Sequence, residues 1–271
     1  MSMSSFLREH WPEYAIECCA LGCFMIAIGF FVTAFESPAS PIYRVIHPSY
    51  LRTVLLASCI GLVLALLIHS PWGKRSGAHM NPAITLAFLC LKKVHPWDAL
   101  FYVVAQTIGA TVGVVVVAFV MGSLFTGPPV QYAVTLPGPA GDAVAFAAET
   151  AISFALMATV LAFIGSSRLI RFTGLAIGCL VALFIVVEGP LSGTSMNPAR
   201  TLASALPLRM WHHLWLYLLG PTLGMLLAAQ LILYIRRGTP RGCAKLLHPH
   251  NLRCIHCGYC PAQNATTPRT L

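Results

Sequence analysis

The chain has 271 residues, of which 57% are hydrophobic and only 9% charged, and its mean hydropathy is +0.76. A soluble domain carries about 25% charged residues, so this composition excludes a water-soluble globule and places the chain in a lipid bilayer. The net charge of +9 has a topological explanation, given below, and no nucleic-acid partner is expected.

Taken in chain order, six apolar runs are long enough for helices crossing a hydrocarbon core about 30 Å thick. They are Tyr14 to Phe35, Thr53 to His69, Trp97 to Met121, Ala143 to Gly165, Phe172 to Val187 and Trp211 to Ile235. None alternates with the two-residue period of a membrane barrel strand, so the fold class is an all-α membrane protein. Two shorter apolar pieces, Asn81 to Leu91 and Asn197 to Leu206, reach only about 15 Å each at ~1.5 Å per residue, half a bilayer. The front of the first run, "REHWPEYAIE", carries three glutamates against one arginine, which fits a retained helix better than a cleaved signal peptide. Trp11, Tyr14, Trp72, Trp97, Trp211 and Trp215 fall near span ends, where interfacial aromatic belts lie.

With both termini on the cytoplasmic face of a plasma (inner) membrane, only Arg44, Arg52, Arg200 and Arg209 of the 17 lysines and arginines face outward. That asymmetry satisfies the positive-inside rule and accounts for the net charge. The chain then divides into a cytoplasmic segment 1–13, a membrane domain 14–235 and a cytoplasmic tail 236–271.

The membrane domain repeats itself. Residues 76–87 read "SGAHMNPAITLA" and residues 192–203 read "SGTSMNPARTLA", agreeing at nine of twelve positions. Downstream, "YVVAQTIG" from Tyr102 matches "YLLGPTLG" from Tyr217, and each half carries a glutamate in its first span, Glu17 and Glu149. The halves, about 14–121 and 143–235, each hold three spans and one half-span. Three is odd, so the second half enters the bilayer inverted, as in many membrane transport proteins. The half-spans then enter from opposite faces, and their loops are tolerated only where protein or a wet path surrounds them.

Asn-Pro-Ala is a coherent opening for a short helix. Pro82 and Pro198 suit the first helical position, where a missing N–H costs nothing, and Asn81 and Asn197 are preferred N-caps. Ala83 and Ala199 are small enough to let two half-helices meet at mid-membrane, bringing two positive dipole ends to one place. Gly77 and Gly193 let the incoming loops turn. Extended backbone at Ala78 and His79, and at Thr194 and Ser195, would present carbonyls to the path. Acceptors flanking central donors suit a single file of small neutral molecules, and positive dipole ends oppose cations and protons.

On these paired motifs, residues 10–235 resemble the aquaporin and glycerol-facilitator (major intrinsic protein) family. The resemblance implies a right-handed bundle of six tilted helices plus two half-helices, assembled as a homotetramer with one pore per subunit. It implies that Glu17 and Glu149 fix the loop backbones, and it matches Gln106 and Gly220–Pro221 to family positions. It places Arg200 in an outer constriction beside Thr194 and Ile185. The fourth position falls at Ile60 or Gly61, because the "HSPWGKR" loop is one residue longer than usual. A water-only member would resemble a ring with Phe and His here. The present ring is wider and more apolar, yet Thr201 stands where glycerol facilitators carry Asp, while Ala205 and Tyr217 are water-channel-like and Leu218 replaces a frequent Trp. The implied function is a passive channel for water, small neutral solutes such as glycerol, urea, ammonia or metalloid hydroxides, or both.

Six of the ten cysteines lie in apolar helices and read as small hydrophobes. The other four, Cys243, Cys254, Cys257 and Cys260, lie in the tail with His248, His250 and His256, in a spacing that resembles a small zinc site. Two other readings stay open: a coupled secondary transporter, and a non-conducting scaffold or metal sensor working through the tail. With no nucleophile–base pair or cofactor loop, no enzyme is expected.

Overall fold

The computed structural model describes residues 3–237, 242–248 and 253–259, and every regular element among them is helical. In chain order the principal helices are α1 (Met3–Glu36), α2 (Ser49–His69), α3 (Pro82–Cys90), α4 (Pro96–Met121), α5 (Asp142–Ile164), α6 (Thr173–Val187), α7 (Pro198–Leu208) and α8 (Leu214–Arg236). Six helical segments are long and apolar enough to cross a membrane, by length and composition. The other two, α3 and α7, have 9 and 11 residues.

Most helix edges fall within a few residues of those read from hydropathy. The first helix differs, starting at Met3 and running for 34 residues, roughly 50 Å at 1.5 Å per residue. Hydropathy registers where lipid begins, whereas the helix continues into the polar layer because side chains tie it there. The Tyr14 hydroxyl donates to Asp98 Oδ1 (2.6 Å), and His10 Nδ1 lies 2.7 Å from the same oxygen. Asp98 belongs to the first turn of α4, so this cluster pins the base of α1 to α4.

The inverted repeat is visible in the packing. The first and third long helices of each half pair with each other, α1 on α4 and α5 on α8, while the second helices, α2 and α6, pair across the halves. Each half-helix packs against the last long helix of the opposite half, α3 on α8 and α7 on α4. Lipid supplies no hydrophobic drive between helices, so close backbone approach through small residues must serve. A Cβ on Gly109 would stand 1.9 Å from the Cys18 carbonyl oxygen. At the α2–α6 crossing, a Cβ on Gly61 or on Gly178 would each stand 2.3 Å from the other's carbonyl oxygen.

Gly109→Val should therefore force α1 and α4 apart, costing about 3 kcal/mol or more and lowering the melting temperature in detergent by roughly 6 °C or more. Gly189→Ala, whose new methyl meets nothing nearer than 3.6 Å, should leave the melting temperature within about 1 °C. Equal effects would contradict the crossing as the point of stress.

Candidate functional site

The site begins at two helix ends. Asn81 caps α3 by accepting from the Ala83 N–H (2.9 Å), and Asn197 caps α7 by accepting from the Ala199 and Arg200 N–H groups (3.2 and 3.3 Å). Each amide nitrogen then reaches into the opposite half. Asn81 Nδ2 donates to the Met196 carbonyl (2.7 Å), and Asn197 Nδ2 donates to the Met80 carbonyl (2.8 Å). An amide NH2 has two hydrogens, so each asparagine keeps one after making this bond. Both residues are buried, at 5% and 7% exposure, and both line one cavity of about 170 Å³.

The loops feeding these caps differ from the extended ladder expected at Ala78 and Thr194. Gly77, Ala78 and Met80 take φ of +110°, +56° and +46°, and Gly193, Thr194 and Met196 take +79°, +53° and +54°. Alternating left-handed residues turn the chain in a tight register. Holding non-glycine residues there costs on the order of 1 kcal/mol each, so something must over-determine them. Two carboxylates do. Glu17 accepts from the Ser76 hydroxyl (2.7 Å), the His79 and Met80 N–H groups (3.1 and 2.7 Å) and Gln106 Nε2 (2.8 Å). Glu149 accepts from the Ser192 hydroxyl (2.8 Å) and the Ser195 and Met196 N–H groups (2.6 and 2.8 Å). The Tyr102 and Tyr217 hydroxyls donate to the Ser76 and Ser192 carbonyls (2.7 and 2.6 Å). Around the carboxylates the halves differ in one donor: Pro221 stands where Gln106 stands in the first repeat and offers none.

The cavity walls are aliphatic. From α2 come Leu56, Ile60, Leu64 and Ile68, at four-residue spacing, and from α6 come Ile177, Val181 and Ile185. Of the two register alternatives, Ile60 lies along the cavity, whereas Gly61 lies at the α2–α6 crossing against Gly178. Ala78, His79, Gly193, Thr194, Ser195 and Arg200 also line the cavity. The Gly77 carbonyl is instead engaged by the Leu246 N–H (3.1 Å). Arg200 Nη1 is buried with no protein acceptor.

Sequence reasoning missed Glu188. Its Oε2 accepts from the Thr194 hydroxyl (2.8 Å), while Oε1 is buried without a partner. The signal was present, since a carboxylate directly after "LVALFIVV" is a polar group at the edge of a membrane span.

In the tail, the ligand atoms of Cys243, His248, Cys254 and Cys257 all lie within 4.8 Å of one another. Cys243 Sγ is 3.4 Å from Cys254 Sγ, and His248 Nε2 is 3.3 Å from Cys257 Sγ. A zinc tetrahedron with Zn–S of about 2.3 Å and Zn–N of about 2.0 Å has edges of about 3.5–3.8 Å, so the set fits such an ion with small adjustments. His248 is the fourth member of the cluster; Cys260 lies outside the described residues.

An inverted pair of three-helix halves, whose half-helices meet end to end beside a single mid-membrane cavity, defines a polytopic helical membrane protein of the transport type. The chain belongs to the major intrinsic protein family, whose model matches residues 9–233. It is 38% identical over 205 residues to aquaporin NIP3-1 of Zea mays, an alignment spanning 74% of this chain and 66% of the relative. Nodulin-26 of Glycine max is 32% identical over 207 residues, spanning 75% and 73%. The X-ray structure of the aquaglyceroporin from Plasmodium falciparum superposes with a TM-score of 0.70 at 21% identity, over 82% of this chain and 95% of that one; at that identity the likeness concerns the fold. The chain spans 66%, 64% and 56% of the first three curated relatives.

Replacing either carboxylate by its amide leaves one loop N–H facing a donor: Met80 or His79 in Glu17→Gln, and Met196 or Ser195 in Glu149→Gln, at about 1–3 kcal/mol. In the first half the Gln106 amide can turn so that its unpartnered Oε1 accepts from the new NH2, which spares a second clash, so the two losses should be comparable. Thermal melting should fall in both variants; a melting temperature unchanged in either would contradict the loop-fixing assignment.

Proposed function

We propose that the protein is a passive channel for water and small uncharged hydrogen-bonding solutes, such as glycerol, urea, ammonia or neutral metalloid hydroxides, that excludes ions and protons. One observation carries this reading. The two asparagine amides are locked to each other's loops, and each retains one N–H at the positive end of a half-helix, beside one cavity. Donors held there give hydrogen bonds to neutral molecules while the dipoles oppose cations. Arg200, Thr194, Ile185 and Ile60 form the selecting constriction, and two isoleucines there leave an apolar wall that fits carbon-bearing solutes as well as water. The aquaporin names of the relatives support the same class. A rocking transporter is disfavoured, because moving one half against the other would break both asparagine bonds.

The basic-residue asymmetry supports an inner-membrane orientation with both termini cytoplasmic, and family resemblance supports a homotetramer with one pore per subunit. The tail cluster of Cys243, His248, Cys254 and Cys257 is read as a structural site for Zn²⁺ or a similar soft divalent ion, on ligand type and geometry.

Stopped-flow light scattering on reconstituted vesicles, with a membrane-permeant metal chelator present, tests the channel. Osmotic steps with glycerol and urea should relax faster than in empty vesicles, as should water, while proton leak stays at background. Ile185→His, which narrows the constriction and adds a polar ring, should lower glycerol flux about tenfold or more, roughly 1.4 kcal/mol of barrier, with water flux retained. Relaxation no faster than in empty vesicles for every solute would sink the channel reading.

A further inference from the structure

The tail does more than gather cysteines: residues 242–248 lie across the end of the path on the side from which the first half-helix enters. Leu246 is 1% exposed and lines the same cavity as Asn81, Asn197 and Arg200. Its N–H donates to the Gly77 carbonyl (3.1 Å), and the Ala244 carbonyl accepts from His79 Nε2 (2.7 Å). Two polar groups of the first pore loop that would face solutes are thereby occupied by the chain itself. Lys245 is buried too, its Nζ donating to the Lys74 and Arg253 carbonyls (3.3 Å each), and Lys93 donates to the Gly242 carbonyl. His256 stacks on His79 with 5.7 Å between ring centroids and 8° between planes.

We propose that residues 243–248 and 253–257 form a metal-stapled plug that closes the cytoplasmic mouth of the path, with Leu246 as the stopper and Cys243, His248, Cys254 and Cys257 as the staple for Zn²⁺ or a similar soft divalent ion. The ligands flank the stopper: Cys243 precedes Leu246 by three residues and His248 follows it by two. Fixing those two ligands to Cys254 and Cys257 therefore fixes the chain between them. No helix is assigned to the described tail residues, so apart from these contacts with the membrane domain the segment has no regular structure of its own, and in the proposal metal binding is what tips it into the seated conformation. An apolar side chain in a single-file path of neutral hydrogen-bonding solutes offers neither donor nor acceptor. Removing the metal frees the segment, vacates the Gly77 carbonyl and His79, and opens the mouth.

The inference rests on the metal reading of the tail, and its test separates the two. Full-length protein is purified with zinc, its metal content is measured by mass spectrometry, and its osmotic water permeability is measured with and without a membrane-permeant zinc chelator. The expected results are about one zinc per chain and a permeability rise of about tenfold or more on chelation, the factor seen when the open fraction goes from about one in ten to near unity. Leu246→Gly should keep the zinc and show the high permeability without chelation. Cys254→Ser/Cys257→Ser should lose the zinc and also be open, with melting behaviour of the membrane domain confirming that it still folds. Zinc bound, with permeability indifferent to both chelation and Leu246→Gly, would overturn the plug and leave the metal site standing. No zinc bound to the wild-type chain would overturn the metal reading, and the plug as a metal-dependent device with it.

Discussion

Two amide–carbonyl hydrogen bonds, Asn81 to Met196 and Asn197 to Met80, hold this structure where its backbone is least regular. They lie where two irregular loops meet at mid-membrane. There, unpaired backbone groups cost several kcal/mol each. Each asparagine closes its own helix end with one oxygen and fixes the opposite loop with one hydrogen. The remaining hydrogen is thereby aimed, because the other bonds leave the amide no rotation. Selection by fixed donors needs that rigidity, since a donor free to turn would follow a solute instead of discriminating among solutes.

The rigidity is supplied from outside the pair. Six left-handed backbone positions, three in each loop, would relax if nothing opposed them, and Glu17 and Glu149 oppose them with charge-assisted bonds to consecutive N–H groups. Symmetry between the halves is close in this scaffold and deliberately absent in the path. Ile84 and Arg200 occupy equivalent places in the two repeats, and both line the cavity. The guanidinium therefore stands in one repeat alone, at the start of its half-helix, and Ile60 and Ile185 line the same cavity. The scaffold repeats; the lining does not.

Much of this was legible in the sequence. Helix number, the two half-helices and the inversion follow from run length and an odd number of spans per repeat, both set by bilayer thickness. The caps follow from Asn-Pro, because that pair has few other uses before an apolar run. What escaped was what depends on contacts between distant residues. The extra turns of α1 are set by Asp98 of another helix. The left-handed Ala78, Met80, Thr194 and Met196 leave no mark in residue type, since the carboxylates enforce them against intrinsic preference. Whether Ile60 or Gly61 faces the path turns on a single residue of register, which the small-residue crossing at Gly178 decides. In the tail, the sequence named four cysteines with three histidines nearby, but which histidine joins Cys243, Cys254 and Cys257, and that Leu246 is buried against the cavity, depend on how the segment folds back.

The most direct test is a density map of the full-length protein in a lipid environment at side-chain resolution. It should place Asn81 Nδ2 and Asn197 Nδ2 within hydrogen-bonding distance of the Met196 and Met80 carbonyls, with ordered water or solute density beside both amides. Asparagines that point apart, or amides enclosed by packed hydrocarbon with no density between them, would contradict the account.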